Sequence, residues 1–237
     1  MKFPMLPRII LLLGFVGRFT FSAFAFSTNE IPQYNSRIWQ MEDGLPHKTV
    51  QALAQTRDGY IWVGMEKGLA RFDGIQFVAL MLPELKYSSI TALCEGGDDS
   101  LWIGTSDQGI LQLKEGKVFH FTTANGLCND SIRALFATRY GSIWIGTTNG
   151  LSRFLNGHFS TFTTNDGLLH PVIRSFFEDA RGNLWIGTGH GLNRWKDGKI
   201  TAVYDKIGDE TLSSVRAIYV DADDVLWFGA NAGLARV

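Results

Sequence analysis

The sequence predicts an all-β protein, a β-propeller of four-stranded antiparallel blades, from two observations. The first is a repeat of about 41 residues, marked by tryptophans at Trp62, Trp102, Trp144, Trp185 and Trp227. A fixed period of this length is typical of one supersecondary unit stacked along the chain. The second is that each repeat holds short aliphatic and aromatic runs separated by glycine-containing turns, which is the pattern of a propeller blade.

The third repeat shows the four predicted strands in order. They cover residues 131–137, 142–147, 151–154 and 158–162. The turns between them contain Gly141, Asn149-Gly150 and Asn156-Gly157, and Asn-Gly between such runs is a strong hairpin signal. The other repeats place Gly- or Asp-containing turns at the same points, so we expect about five blades of one design.

Two positions are the same in every repeat, the tryptophan and the glycine two residues after it. A glycine inside a strand indicates close approach of another backbone or side chain, so we expect neighbouring blades to meet there. We expect the tryptophans to pack between blades rather than to form a platform for a ligand. The glycines are Gly64, Gly104, Gly146, Gly187 and Gly229.

The first 25 residues have the pattern of a signal peptide. Lys2 and Arg8 supply positive charge, the segment 9–17 is apolar, and Ala23-Phe24-Ala25 is a small-x-small cleavage site. We therefore predict cleavage after Ala25 and export. The alternative is an uncleaved membrane anchor, although the apolar segment is short for a membrane span.

The repeats occupy residues 36–237, and both ends of this region are irregular. Trp39 lies 23 residues before Trp62, the spacing that also separates Phe121, Phe162 and Tyr204 from their tryptophans. This predicts a fourth strand without a blade of its own, while the fifth repeat stops in its third strand. The N-terminal strand could complete the fifth blade and close a five-bladed ring; we favour a truncated, longer propeller.

Composition excludes several functions. The formal net charge is −1 and no basic stripe is present, which argues against nucleic acid and anionic lipid as partners. Cys94 and Cys128 fall at non-equivalent repeat positions, so we expect two unpaired thiols and neither a structural zinc site nor a cofactor. The run from Asp221 to Asp224 resembles a calcium loop, but it coincides with an ordinary blade turn, so we expect a solvated turn.

A ligand site is expected on one face of the propeller. Strand alternation puts the loop before the first strand of each blade on the same face as the loop between its second and third strands. The candidates are polar residues 15 before or 5 after a tryptophan: His47, Asn129 and His170, and Lys67, Asn149 and His190. The alternative is that His47, Asn129 and His170 hydrogen-bond the local backbone and that residues before a turn glycine shape the turn.

The repeat phrases resemble the two-component regulator propeller family. They are DGLP at 43–46, GYIWVGMEKGLARFDGIQF at 59–77 and IWIGTTNGLSRFLNGHF at 143–159. The second repeat departs from the pattern, because Gln112 follows an extra residue where the others have arginine. The fifth also departs, because it lacks the aromatic that follows that arginine.

The resemblance implies a seven-bladed propeller in the periplasmic sensor region of a bacterial hybrid histidine kinase or diguanylate cyclase. Its expected partners are a small molecule or carbohydrate, or a periplasmic protein, together with downstream receptor domains. Any membrane contact would run through a C-terminal span missing here or an uncleaved leader. We expect no catalysis in this chain; the alternatives are a protein-interaction scaffold and a propeller lyase or hydrolase, which would need convergent titratable groups at the axis.

Overall fold

The computed structural model describes residues 36–85 and 88–237, and there the chain forms five successive antiparallel sheets. Four sheets have four strands in chain order, the fifth has three, and a short hairpin precedes the fifth. The prediction of an all-β propeller is confirmed. The predicted signal peptide, residues 1–25, lies outside the described residues and stays a prediction. Within the described ranges, no helix has the length and apolarity needed to cross a membrane.

The first two blades contain strands β1 to β8. The first blade comprises β1 (Val50–Gln55), β2 (Ile61–Met65), β3 (Leu69–Phe72) and β4 (Phe77–Leu80). The second comprises β5 (Ile90–Glu95), β6 (Leu101–Thr105), β7 (Ile110–Lys114) and β8 (Lys117–Phe121). Short 3-10 turns lie at Met41–Asp43, Pro83–Leu85, Thr123–Asn125 and Thr164–Asp166.

The remaining strands are β9 to β21. The third blade comprises β9 (Ile132–Ala137), β10 (Ile143–Thr147), β11 (Leu151–Leu155) and β12 (His158–Phe162). The fourth comprises β13 (Ile173–Glu178), β14 (Leu184–Thr188), β15 (Leu192–Lys196) and β16 (Lys199–Tyr204). The hairpin is β17 (Lys206–Ile207) and β18 (Glu210–Thr211), and the fifth blade is β19 (Ala217–Val220), β20 (Leu226–Ala230) and β21 (Gly233–Arg236).

The strands of the third blade fall within one residue of their predicted bounds, because the turns specify the register. Asn156 and Gly157 both have positive φ, 51° and 82°, and join β11 to β12. Two successive left-handed residues form the tight turn whose twist matches that of the strands it connects. The equivalent turns of the second and fourth blades, at Glu115-Gly116 and Asp197-Gly198, have the same signs of φ.

The repeated tryptophans and glycines hold neighbouring blades together, as predicted. Trp102 is 1% exposed and packs in one cluster with Ile143 and Ile145 of the third blade. A Cβ atom on Gly104 would lie 2.6 Å from Cγ2 of Ile132, also in the third blade. Gly64 and Gly146 make the same approach to the next blade, so these interfaces have no room for a side chain. The fifth blade differs, since a Cβ on Gly229 would meet only Ala217, at 3.8 Å.

The segment around Trp39 departs from the prediction, because residues 36–40 form no strand. A strand exists only where a neighbouring backbone completes its hydrogen-bond ladder, and no third strand pairs with this segment. The aromatic side chain nonetheless keeps its repeat position. The Trp39 ring lies 5.5 Å from that of Phe72 and 6.0 Å from that of Phe77, much as Phe121 lies against the equivalent pair of the third blade.

The cysteines and the acidic turn have the structures expected of them. Cys94 and Cys128 are both unpaired. The Asp221 carboxylate accepts hydrogen bonds from the backbone N–H groups of Asp223 (3.0 Å) and Val225 (2.9 Å) and from Nε1 of Trp227 (2.8 Å). The aspartate therefore organises an ordinary blade turn. In the two described ranges, no group of three or more histidine, cysteine or acidic side chains is arranged to hold a metal ion.

Candidate ligand-binding face

The fourth blade brings two of the predicted site residues together. His170 lies in the loop before β13 and His190 in the turn between β14 and β15, and their rings are 5.5 Å apart and perpendicular. Gly189 makes this contact possible, because a Cβ atom there would overlap the His170 ring. The two kinds of loop thus share one face, as the strand alternation predicts.

The three residues that lie 15 before a tryptophan share a structural role. The Nδ1 atom of His47 accepts a hydrogen bond from the Thr49 N–H (3.2 Å), and Nδ1 of His170 accepts one from the Val172 N–H (3.1 Å). Oδ1 of Asn129 accepts the equivalent bond from the Ser131 N–H (2.9 Å). The local backbone bonding considered as an alternative is therefore present at all three positions.

This bonding fixes which histidine nitrogen remains for a ligand. A neutral imidazole has one donor and one acceptor nitrogen. Because Nδ1 of His170 accepts from the backbone, its proton resides on Nε2. The pKa of His170 is lowered by burial and by the nearby His190 and Arg174. At neutral pH the ring therefore offers an Nε2–H donor without adding a charge.

The residues 5 after a tryptophan occupy exposed turns. The backbone N–H groups of Asn149 and His190 donate to the hydroxyls of Thr147 (3.0 Å) and Thr188 (3.1 Å), so the backbone shapes the turn and leaves both side chains exposed. Lys67 is exposed as well, and it lines a groove of about 460 Å³. The other groove residues are Pro46, Gly68, Leu80, Met81, Leu82, Pro83 and Leu85.

The six candidates do not form a single cluster. Glu66 is the charged neighbour of His47, with Nδ1 and Oε2 4.0 Å apart. Asn129 bonds to the hydroxyl of Thr148, at 3.0 Å. Among the residues that the structure describes, no hydrogen bond, ion pair or ring contact links His47, Lys67, Asn129 or Asn149 to the His170–His190 pair.

Three arginines beside this pair were missed by the sequence reasoning. The first strands of the five blades pack side by side in chain order, so together they form the inner edge of the array. In β9, Ile132 pairs with Thr147 and Ala134 with Gly146, which leaves Arg133 as an unpaired bulge residue. Arg174 is the bulge residue of β13, and Arg216 directly precedes β19.

Two of the three arginines act electrostatically on the third, Arg174. The pKa of Arg174 is lowered by burial and by the positive charges of Arg216 and Arg133, and no carboxylate is among the groups that act on it. The Nε atom of Arg174 is buried and has no hydrogen-bond partner. The positive charge of Arg174 is one of the causes that lower the pKa of His170, so the histidine pair and the arginines form one electropositive region.

A sequence signal for these arginines exists within the repeat register. Each lies 11 residues before its tryptophan, and the first two repeats have Gln51 and Thr91 at that position. The candidates predicted from the sequence are confined to the loops of one face, and the repeat pattern marks the strands as structural. A bulge residue is neither a loop residue nor part of the regular alternation of a strand, so it belongs to neither group. We call Arg133, Arg174 and Arg216 the inner arginines.

This region supplies hydrogen-bond donors and positive charge. Guanidinium groups are donors only, and the neutral His170 presents a donor as well. Among the described residues, no carboxylate forms an ion pair with either histidine of the pair or with an inner arginine. The arrangement therefore suits recognition of a hydrogen-bond acceptor better than acid–base catalysis, which requires a proton acceptor oriented by a partner.

Sequence comparison finds four of the five repeats that the tryptophans mark. Residues 44–67, 84–107, 126–149 and 167–190 each match the profile of the two component regulator propeller family. Among curated proteins, no sequence matches this chain.

Solved structures with the same fold include extracellular domains of one and two component systems and a lyase. The extracellular domain of the hybrid two component system BT3049 from B. thetaiotaomicron superposes with a TM-score of 0.70 at 19% identity, covering 84% of this chain and 30% of that one. The extracellular domain of the one component system BT4673 from the same organism gives 0.67 at 19%, covering 86% and 32%. Virginiamycin B lyase from Staphylococcus aureus gives 0.64 at 15%, covering 80% and 69%. At these identities the comparison establishes the propeller fold, and this chain spans about a third of each of the two extracellular domains.

Proposed function

We propose that the chain, four of whose repeats match the two component regulator propeller family, is the extracytoplasmic sensing propeller of a signal-transducing receptor and acts by binding. The observation that carries this proposal is the electropositive region around His170 and His190. The blade framework recurs from repeat to repeat, whereas this region is confined to the third, fourth and fifth blades. A binding surface requires such local differences, and folding does not.

Two further observations support an extracytoplasmic location. The first 25 residues have the composition of a signal peptide. Two of the propellers with the same fold are extracellular domains of signalling proteins. The periplasm is the compartment we propose. Binding would change the output only if the ligand favoured one arrangement of the propeller and the receptor domains over another.

The test replaces both histidines of the pair without disturbing the backbone. Asn129 shows that asparagine can accept the backbone hydrogen bond made by His170, and Asn149 shows that asparagine fits the turn position of His190. The double variant His170→Asn, His190→Asn in the intact receptor should fold normally and lose most of its response to the natural signal. His47→Asn, the same change in the first blade, is the matched control and should respond as wild type. A normal response from the double variant would refute the proposal.

A propeller lyase is the second candidate, favoured by the histidine pair at the face of a fold that virginiamycin B lyase shares. The absence of a carboxylate paired with either histidine in the described ranges counts against it. Purified chain should give no turnover with a panel of lactones and polysaccharides. Turnover that His170→Asn abolishes would replace the sensing proposal with an enzymatic one.

A further inference from the structure

We propose that the inner arginines form an oxyanion site, and that the ligand of this propeller carries at least two negative charges on oxygen atoms. The inference rests on the proposed function, because it names a ligand class for the same region. It differs from that function in what it requires: an anion must bind to this chain itself, whether or not a receptor responds.

The inner arginines are not needed to build the blades. Gln51 and Thr91 occupy the same register position in the first two blades, which have the same strands and the same bulge. On either side of the bulge, Ile132 fills the interface with the second blade, and Ala134 pairs with Gly146 at the interface with the fourth. The residue between them lies at the inner edge and takes no part in these two interfaces. Its side chain can therefore be chosen for a role other than blade packing.

The positive charge on this edge has no carboxylate partner and no stacked ring in the described ranges, whereas three exposed arginines have a carboxylate and three blade arginines, Arg71, Arg153 and Arg236, lie over aromatic rings. Arg57 pairs with Glu95 (3.1 Å), Arg139 with Glu178 (3.3 Å) and Arg181 with Asp224 (2.6 Å). Among the described residues, no carboxylate pairs with an inner arginine. Like charges at close range destabilise a fold, so three of them on adjacent strands indicate a functional requirement rather than a packing one.

The chemistry of the region selects an oxyanion. A guanidinium presents its donors in a planar fork that matches two oxygens of a carboxylate, phosphate or sulfate. Among the residues that the structure describes, the buried Nε–H of Arg174 has no acceptor, and Nε2–H of His170 is a further donor near it. Because the arginines stand on three successive blades, a single charge cannot offset all of them, which is why we assign a ligand with two or more.

The experiment measures binding of two probe anions to the purified chain by titration calorimetry. The probes are inorganic pyrophosphate and citrate, each at constant ionic strength set with potassium chloride, and they distinguish phosphate from carboxylate recognition. We expect one or both to bind. Arg174→Gln and Arg133→Thr introduce the residues that the chain itself uses in the first two blades, so both variants should fold. Each should weaken binding by roughly tenfold or more, since a charge-assisted hydrogen bond is lost.

Arg181→Gln is the control, because it removes the same charge from the opposite face and should leave anion affinity unchanged. Failure of wild type to bind either probe, or equal binding by wild type and the two inner variants, would overturn the inference. If an intact receptor requires the histidine pair yet responds normally with both Arg133 and Arg174 replaced, the oxyanion inference is overturned and the proposed sensing function stands. Anion binding lost in the inner variants, with a receptor indifferent to the histidine pair, would support the site and refute the sensing role.

Discussion

The second and fourth blades have the same strands but different polar residues. Both place a tryptophan against the next blade, yet the indole N–H of Trp185 donates to Asp179 (2.9 Å) whereas that of Trp102 has no partner. The residue equivalent to Asp179 in the second blade is Gly96. The second blade also has Thr91 where the fourth has Arg174, and the histidine pair belongs to the fourth alone.

The difference shows that packing and polar chemistry are specified separately in this fold. Trp102 is almost fully buried although its N–H is unsatisfied, and Trp185 is half-buried although its N–H is satisfied. The contacts between blades therefore do not depend on the indole hydrogen bond. Polar residues are free to vary among blades, and in the fourth blade they are concentrated where a ligand could reach them.

The largest expected effect on stability comes from removing each tryptophan in turn, which tests whether packing and polar contacts are independent. Trp102→Ala should reduce the free energy of unfolding by about 3–5 kcal/mol, because it leaves a cavity between the second and third blades. Trp185→Ala should cost less, since that side chain is only half-buried, even though it also loses a hydrogen bond. Urea denaturation measures both. A larger loss for Trp185→Ala would show that the hydrogen bond outweighs burial.

Removal of the Asp179 carboxylate is expected to have an intermediate effect that depends on pH. Burial opposes ionisation of Asp179, but hydrogen bonds from Asn183, Trp185 and the Arg181 N–H lower its pKa below the ordinary value. Asp179→Ala should cost about 1–3 kcal/mol at pH 7, because these donors lose their acceptor. A lowered native pKa stabilises the fold above the unfolded pKa of about 4, and this contribution is lost as pH falls through the native pKa.

The stability gap between wild type and Asp179→Ala should therefore narrow below about pH 4. Thr138→Ala provides a control, since Thr138 holds the same repeat position in the third blade and its hydroxyl bonds Ser142, which does not titrate. Urea titrations from pH 7 to pH 3 should show a constant gap for that variant. A gap for Asp179→Ala that does not change with pH would contradict the role assigned to the carboxylate.

The smallest effect is a difference in thiol reactivity. Cys94 pairs with Trp102 across the second blade, at the position of Phe177 in the fourth, and burial raises its pKa to about 12. At pH 8 only about one Cys94 side chain in 10⁴ would be a thiolate, the form that reacts with disulfide reagents. In native protein the Cys128→Ser variant should show almost no labelling, and Cys94→Ser should label in a single phase. Rapid labelling of Cys128→Ser would mean that the second blade opens readily.

Most of the fold could be predicted from the sequence because its determinants are local and repeated. The Asn156-Gly157 turn specifies one hairpin, and Gly104 marks an interface where no side chain fits. Residues 36–40 were wrongly predicted as a strand, since the aromatic spacing of Trp39 was correct but a ladder also requires a partner backbone. The spacing of aromatic residues can be read from the sequence, whereas the presence of a partner strand cannot.

Much less of the candidate site could be predicted. The register placed His170 and His190 on one face, but their contact depends on Gly189, which the repeat pattern did not mark as special. The inner arginines were not predicted, because Arg133 and Arg174 lie at bulges, where the alternation of buried and exposed residues fails, and Arg216 lies just before its strand. Recognising them required the pairing of Ile132 and Ala134 on either side of Arg133, which is a property of the folded sheet.

The bulge in the first strand has a consequence for how such proteins diversify. In each of the first four blades it supplies one side chain that can be exchanged without repacking a core, so the positions along the inner edge can change independently. In this chain those residues are Gln51, Thr91, Arg133 and Arg174, and Arg216 continues the series directly before β19. Duplication of a repeat followed by a single codon change could therefore alter what the axis of a propeller attracts while its stability stays nearly constant.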